Sequence, residues 1–343
     1  MENLILYFIT FLTAYVISLI LTPFFRYVAV KFNVYDKPIT AVKTHKVSTP
    51  YLGGLAIWTG WVISLVLIRL VTNFPTGTLN NIRSVLVGSF LLLLLGLCDD
   101  IKKGGLGFKF KFLIQIIACL IVVIGFDIRI NFIENYILSV LISIFWIIGL
   151  SNAFNIIDIM DGLSCGVAAI ASFFFFIIAL PSEMIYVNFC ACALIGGCLG
   201  FLPYNLSKSK KIFMGDTGSL SLGFILATVA MGTSYTKINP VAIFAPLLIL
   251  AIPVYETVFV SIIRIKKGKN PFLGSKDHFP LRLEKMGFSR KQILIFIYVL
   301  SFIFGTFAYV TVNINENASY LIFSFVIILL FCFSVKLSKV KTD

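Results

Sequence analysis

The chain has 343 residues, of which 59% are hydrophobic and only 13% charged, against roughly 25% charged in ordinary soluble domains. That composition excludes a water-soluble globular protein and points to a polytopic membrane protein. The net charge of +13 reports the sidedness of the loops, so no nucleic-acid partner is required to explain it.

An apolar segment needs about 20 residues to cross ~30 Å of hydrocarbon. Runs of this kind occur, in chain order, at 3–25, 53–72, 83–98, 109–128, 133–150, 163–181, 186–204, 217–236, 240–263, 292–312 and 319–336. They predict an all-α protein of about eleven transmembrane helices, organised as one domain over 1–343. The first run lacks a basic flank and a small-residue cleavage site, and reads as a retained helix. Alternating the runs places every Lys and Arg on one side except Arg69, Arg83, Arg129 and Lys237. By the positive-inside rule the basic side is cytoplasmic, with the N-terminus outside. The seven cysteines, Cys98, Cys119, Cys165, Cys190, Cys192, Cys198 and Cys332, lack metal-ligand spacing and read as small hydrophobic fillers.

Polar residues interrupt this pattern at a few places. In the first cytoplasmic loop, Asp36 to Gly54, Pro38 and Pro50 favour extended backbone, and Gly53–Gly54 allow close packing at the entry to the second helix. Lys43, His45 and Lys46 there suit either an anionic ligand or anionic lipid headgroups. The third helix ends in Asp99–Asp100. Adjacent carboxylates at a helix C-terminus oppose the macrodipole, so a metal, lysines or a ligand must compensate.

The stretch Ser151 to Leu163 sets Asn152, Asn155, Asp158 and Asp161 three residues apart. On a helix each step drifts ~60°, so Asn155, Asp158 and Asp161 would share one broad face. The alternative is a solvated helix end. Next, Pro203 to Gly223 carries Asp216 in a Gly-Asp-Thr-Gly-Ser turn, which could cap a helix, receive phosphate or offer a hard oxygen to Mg²⁺. Glu256 lies within the ninth run without an evident role. The longest basic loop, Arg264 to Lys291, holds Asp277 and His278 and is otherwise readable as an amphipathic surface segment. Asp99, Asp100, Asp158, Asp161, Asp216 and Asp277 all map to the cytoplasmic face. An ion pathway would need polar groups through the membrane as well, so catalysis at the inner surface fits better.

With these motifs placed, the chain resembles the polyprenyl-phosphate N-acetylhexosamine-1-phosphate transferases of glycosyltransferase family 4. The resemblance rests on Asp36, Pro38, Lys43, His45, Pro50 and Gly53–Gly54, on Asp99–Asp100, on Asn152 to Gly162, on Pro203-Tyr204-Asn205, and on Phe213 with Gly215 to Ser219. It implies transfer of N-acetylglucosamine-1-phosphate from a UDP-sugar to undecaprenyl phosphate at the bacterial inner membrane, releasing UMP, for cell-wall, teichoic-acid or lipopolysaccharide synthesis. Another UDP-N-acetylhexosamine, such as a 6-deoxy sugar or UDP-MurNAc-pentapeptide, is the alternative donor. It further implies Mg²⁺ (or Mn²⁺) held by Asn155 and Asp216, catalytic roles for Asp99, Asp100, Asp158 and Asp161, and substrate contacts from Lys46, Asn205, His278 and Arg282. Membrane lipid is a further partner, and a homodimer is left open.

The family's His-x-His-His-Arg-Leu string stands here as His278-Phe279-Pro280-Leu281-Arg282-Leu283. Pro280 argues for a short extended or broken segment rather than a regular turn, and the two missing imidazoles suggest a donor site tolerant of 6-deoxy sugars. A CDP-alcohol phosphatidyltransferase would share Asp158 to Gly162, but its pattern does not continue through Cys165–Gly166. A secondary transporter of anionic solutes is the non-enzyme rival.

Overall fold

The computed structural model describes residues 2–38, 47–75, 77–102, 104–271 and 274–342. The helices in chain order are α1 (Glu2–Lys31), α2 (Gly53–Val71), α3 (Thr78–Ile101), α4 (Phe108–Leu120), α5 (Tyr136–Ile157), α6 (Leu163–Ala179) and α7 (Ile185–Asn205). They continue with α8 (Gly215–Gly232), α9 (Ala245–Ile249), α10 (Ala251–Lys266), α11 (Phe279–Lys285), α12 (Arg290–Asn313) and α13 (Glu316–Ser338). A two-residue pairing of β1 (Tyr35–Asp36) with β2 (Thr49–Pro50) closes the first loop.

Among the described residues, nine helices, α1 to α7 with α12 and α13, are long and apolar enough to cross a membrane, α4 being counted with the helical turn that continues it to Gly125. Of the eleven expected runs, the remaining two depart from plain spans. The run at 240–263 is bent by 72° between α9 and α10, where Pro246 and Pro253 interrupt backbone donation. α8 begins with the polar turn Gly215 to Ser219 and lies inside the bundle, buried from Thr217 through Ala230.

Burial grades outward from α8. The spans of α6 and α7 are 72% and 78% buried, whereas those of α1 and α13 are 22% and 11% buried. The outer helices carry large exposed apolar side chains, such as Leu70, Phe145, Leu321 and Phe331. Such a surface suits hydrocarbon, where the helical backbone satisfies its own hydrogen bonds.

The expected close packing at Gly53–Gly54 is present. The Gly53 and Gly54 amides donate to the Phe213 and Met214 carbonyls, both at 2.9 Å. A Cβ on Gly54 would stand 2.2 Å from the Gly218 nitrogen, so only glycine lets α2 cross the start of α8 so closely. Phe213 N in turn donates to Pro50 O at 2.9 Å, which ties the first loop to the segment entering α8.

The helical face expected over Ser151 to Leu163 forms only in part. α5 carries Asn152 and Asn155 but stops at Ile157, and the chain turns through Asp158 to Gly162. Gly162 adopts a left-handed φ of 78° to start α6. Asn152 exchanges hydrogen bonds with Gln115 of α4 (2.7 and 3.3 Å), joining two helices. The expectation of an extended or broken segment at Pro280 is likewise corrected. Residues 279–285 form a short helix, because Pro280 falls in its first turn, where no backbone donor is needed.

Candidate active site

The C-terminal ends of α3, α5 and α7 and the N-terminal ends of α2, α8 and α12 meet at one end of the bundle. There α5, α7, α8, α11 and α12, with the segments that enter α2, α8 and α11, line a cavity of about 240 Å³. Its wall includes Asn155, Asp158, Asp161, Asn205, Asp216 and His278, together with Asp36, Tyr51, Lys211, Phe213 and Arg290. Six residues singled out from sequence therefore converge, although they are spread over more than 120 positions of the chain.

Beside this cavity lies a tight acidic cluster. Carboxylate oxygens of Asp99, Asp100 and Asp216 all fall within 4.8 Å of one another. Like charges at that spacing repel strongly unless a cation joins them. Lys111 of α4 supplies one: its Nζ lies 2.9 Å from Asp99 Oδ2 and 2.7 Å from Asp216 Oδ2. In sequence, Lys111 is one of the many basic residues on the cytoplasmic side and carries no further signal.

The two adjacent carboxylates at the end of α3 do different work. Asp99 accepts from the Leu106 amide and pairs with Lys111. Asp100 turns to α8, accepting from the Asp216 amide (3.0 Å), the Thr217 amide (3.1 Å) and the Thr217 hydroxyl (2.6 Å). A carboxylate from a distant helix thus caps the first turn of α8 and complements its dipole. Gly215 makes this possible: at φ 75°, a Cβ there would stand 2.3 Å from Asp100 Oδ2.

Asn155 Nδ2 donates to Asp216 Oδ1 (2.8 Å) and to Ser219 Oγ (3.0 Å), and so orients the Asp216 carboxylate from the cavity side. The donor set is made of carboxylate oxygens with an amide beside them, the hard ligands that Mg²⁺ or Mn²⁺ prefers. The residues present therefore fit a divalent ion.

Across the cavity, Asp161 is held by Lys211 at 2.6 Å, and the Lys211 ammonium also stands 5.0 Å from the Phe213 ring centre. Asp158 differs from its neighbours. Among the described residues its carboxylate has no hydrogen-bond or ion-pair partner, and burial pushes its pKa well up, with Asp216, Asp100 and Asp161 adding repulsion. Asn205 is committed to backbone on both sides. Its Oδ1 accepts from Gly162 N at 2.6 Å and its Nδ2 donates to Ile212 O at 2.9 Å, so it pins the 158–162 turn to the segment entering α8.

His278 and Arg282 share one loop but part company in space. His278 lines the cavity, with its Nδ1 2.6 Å from Glu256 Oε1. Glu256, an ionisable residue in an apolar run, thereby gains a partner in the cavity wall. Arg282 stands apart from the cavity that His278 lines. It is 1% exposed and absent from the cavity wall, and it donates to the Asp277 carboxylate (3.2 Å) and carbonyl (3.1 Å), to Leu337 O (3.0 Å) and to Val340 O. A rigid planar fork with several donors suits this task of fastening a loop to the chain's last turns.

Asp277 completes that fastening. Burial raises its pKa, but hydrogen bonds from Lys267, Ser275 and Thr342 and the Lys267 charge outweigh this and hold the carboxyl below its ordinary value. Arg282→Ala leaves buried Asp277 short of one partner, and breaking such a pair costs about 3 kcal/mol. The expected result is a lower melting temperature with an unchanged KM for the nucleotide sugar in whatever fraction stays folded. A selective rise in that KM at normal stability would return Arg282 to the substrate site. Lys46 lies outside the described residues, as do Lys43 and His45.

The family model described as glycosyl transferase family 4 matches residues 82–234, the segment from α3 through α8. The probable undecaprenyl-phosphate N-acetylglucosaminyl 1-phosphate transferase of Bacillus subtilis (strain 168) is 31% identical, over 99% of this chain and 93% of that protein. The decaprenyl-phosphate N-acetylglucosaminephosphotransferase of Mycolicibacterium smegmatis is 30% identical over 84% of this chain and 78% of its own length. A phospho-N-acetylmuramoyl-pentapeptide-transferase of Bacillus thuringiensis is 33% identical over 65% of this chain and 72% of that protein.

Proposed function

The chain belongs to glycosyl transferase family 4, and from that premise we propose that it transfers N-acetylglucosamine-1-phosphate from UDP-GlcNAc to undecaprenyl phosphate. The products are UMP and undecaprenyl diphosphate N-acetylglucosamine, made at the cytoplasmic face of a bacterial inner membrane. The observation that carries this reading is the cluster of Asp99, Asp100 and Asp216 around Lys111, set beside a polar cavity at one end of an apolar bundle.

The reaction breaks the bond between the β-phosphorus of the donor and the bridging oxygen to UMP, and forms one from that phosphorus to an oxygen of the lipid phosphate. A phosphate monoester with a second pKa of about 6 is largely dianionic at neutral pH and attacks with little help from a base. The protein's task is then to bring two anions together and spread the charge of the transition state.

Asp99, Asp100 and Asp216 would hold Mg²⁺ or Mn²⁺, with Asn155 orienting Asp216, and the bound ion supplies charge neutralisation of the diphosphate. Lys111 keeps the cluster compact and offers positive charge to the incoming lipid phosphate. Lys211 and Arg290 supply positive charge at the cavity wall. Asp158, half-buried and without a partner among the described residues, meets the nucleotide side together with Asp161. The apolar exterior keeps the polyprenyl tail in hydrocarbon while its phosphate reaches the cluster.

The test is UMP release by purified protein given undecaprenyl phosphate and UDP-GlcNAc with Mg²⁺ or Mn²⁺. Release should cease on exhaustive chelation and return when the ion is restored. Undiminished release after chelation would remove the metal, and faster turnover of UDP-MurNAc-pentapeptide would replace the donor.

A further inference from the structure

Glu256 is 0% exposed on α10, and both of its oxygens are engaged. Oε1 lies in hydrogen-bond contact with His278 Nδ1 at 2.6 Å, and Oε2 accepts from the Phe279 amide at 3.2 Å. The two partners are successive residues at the start of α11. One carboxylate therefore fixes the imidazole and the backbone that carries it.

A helix cap alone does not account for this arrangement. His278 stands at the N-cap position of α11 but makes no side-chain cap bond, where Ser, Thr or Asp would cap locally at no cost in buried charge. Instead a carboxylate is buried from another helix, which costs several kcal/mol unless it is paired. The neighbouring Tyr255 ring packs against Phe259 and Phe279, with ring centres 5.7 and 5.5 Å away. A ring that gives its Nδ1 proton to a carboxylate has Nε2 left for other partners, and His278 is a wall residue of the cavity shared with Asp158 and Asp216.

We infer that Glu256 is a positioning residue for the transfer reaction, holding His278 so that its Nε2 meets the nucleotide-sugar donor. The inference rests on the reading of this cavity as the donor site. Asp277 and Arg282, on either side in sequence, hold the same loop through bonds to Lys267, Thr342 and the last turns of the chain. The ring is thus fixed by its own partner and by the loop on which it sits.

The chain has two histidines, so ¹⁵N-histidine labelling of the whole protein gives two imidazole spin systems, assigned with His45→Gln. The His278 ring should carry its proton on Nδ1, and its Nε2 resonance should move on titration with UDP-GlcNAc. Glu256→Gln keeps the shape but offers one acceptor oxygen in place of two. It should release the fixed tautomer, lower kcat/KM for UDP-GlcNAc at least 10-fold and leave the KM for the lipid phosphate unchanged.

In a His278→Ala background the same substitution should add less than a twofold further loss. A neutral ring with its proton on Nε2 would overturn the inference, as would an equal fractional loss from Glu256→Gln with and without His278. Should Glu256→Gln fail to fold, the tautomer of the unsubstituted protein still decides. If UDP-GlcNAc is not turned over at all, the proposed donor fails while the tautomer measurement continues to test the Glu256–His278 pair.

Discussion

Asp216→Asn lowers turnover at least 100-fold, about 3 kcal/mol of transition-state stabilisation, with little change in melting temperature. The substitution keeps the shape of the side chain, and Asn155 can still donate to its carbonyl oxygen. What disappears is one negative charge of the cluster with Asp99 and Asp100 and one of the two carboxylates that grip Lys111. Both losses fall on the group best placed to hold a divalent ion. Turnover within a few-fold of normal would make Asp216 no more than part of the first turn of α8.

Asp158→Asn separates activity from stability in the opposite sense. The unsubstituted carboxylate sits in the cavity wall without a partner among the described residues, its pKa raised first by burial and then by Asp216, Asp100 and Asp161. A folded-state pKa above the unfolded value means that the ionised form destabilises the fold. The cost is absent below the ordinary aspartate value of about 4 and grows as pH rises above it. Asparagine removes that cost, so the variant should melt higher near neutral pH by about 1 kcal/mol of added stability and lose the excess at low pH. Turnover should fall at least 10-fold. A variant that is both less stable and fully active would give Asp158 an ordinary structural role.

Much of the architecture was legible because apolar runs of membrane length are difficult to read as anything else. Nine of the eleven runs coincide with described helices long and apolar enough to cross a membrane, and the departures fall where local chemistry competes with hydropathy. At Asp158 a turn ends α5 and spoils the expected helical face, yet Gly162 brings Asp158 and Asp161 into the cavity by another route. At 240–263 hydropathy is continuous while the backbone bends, a consequence of prolines that do not change the apolar count.

The site was legible by residue type and opaque by partnership. Asp99, Asp100, Asp158, Asp161 and Asp216 stood out because carboxylates are expensive at the edge of an apolar bundle. That Asp100 caps α8 could not be read, since its partners lie 116 and 117 residues away. Lys111 was hidden by its company, because a lysine in a basic loop looks like a marker of topology until its Nζ is found between two carboxylates. Arg282 followed its motif to the donor site in sequence but faces the chain's C-terminal turns in space, for a motif fixes neighbours along the chain and not the direction of a side chain.

The most direct measurement of the central claim follows the phosphorus. With UDP-GlcNAc labelled at the β-phosphate, purified protein, Mg²⁺ and undecaprenyl phosphate, the label should pass into the organic phase as a lipid diphosphate sugar while unlabelled UMP accumulates in equal amount. Label left in water as UDP, with sugar alone on the lipid, would contradict transfer of the sugar phosphate, and so would label retained in intact donor.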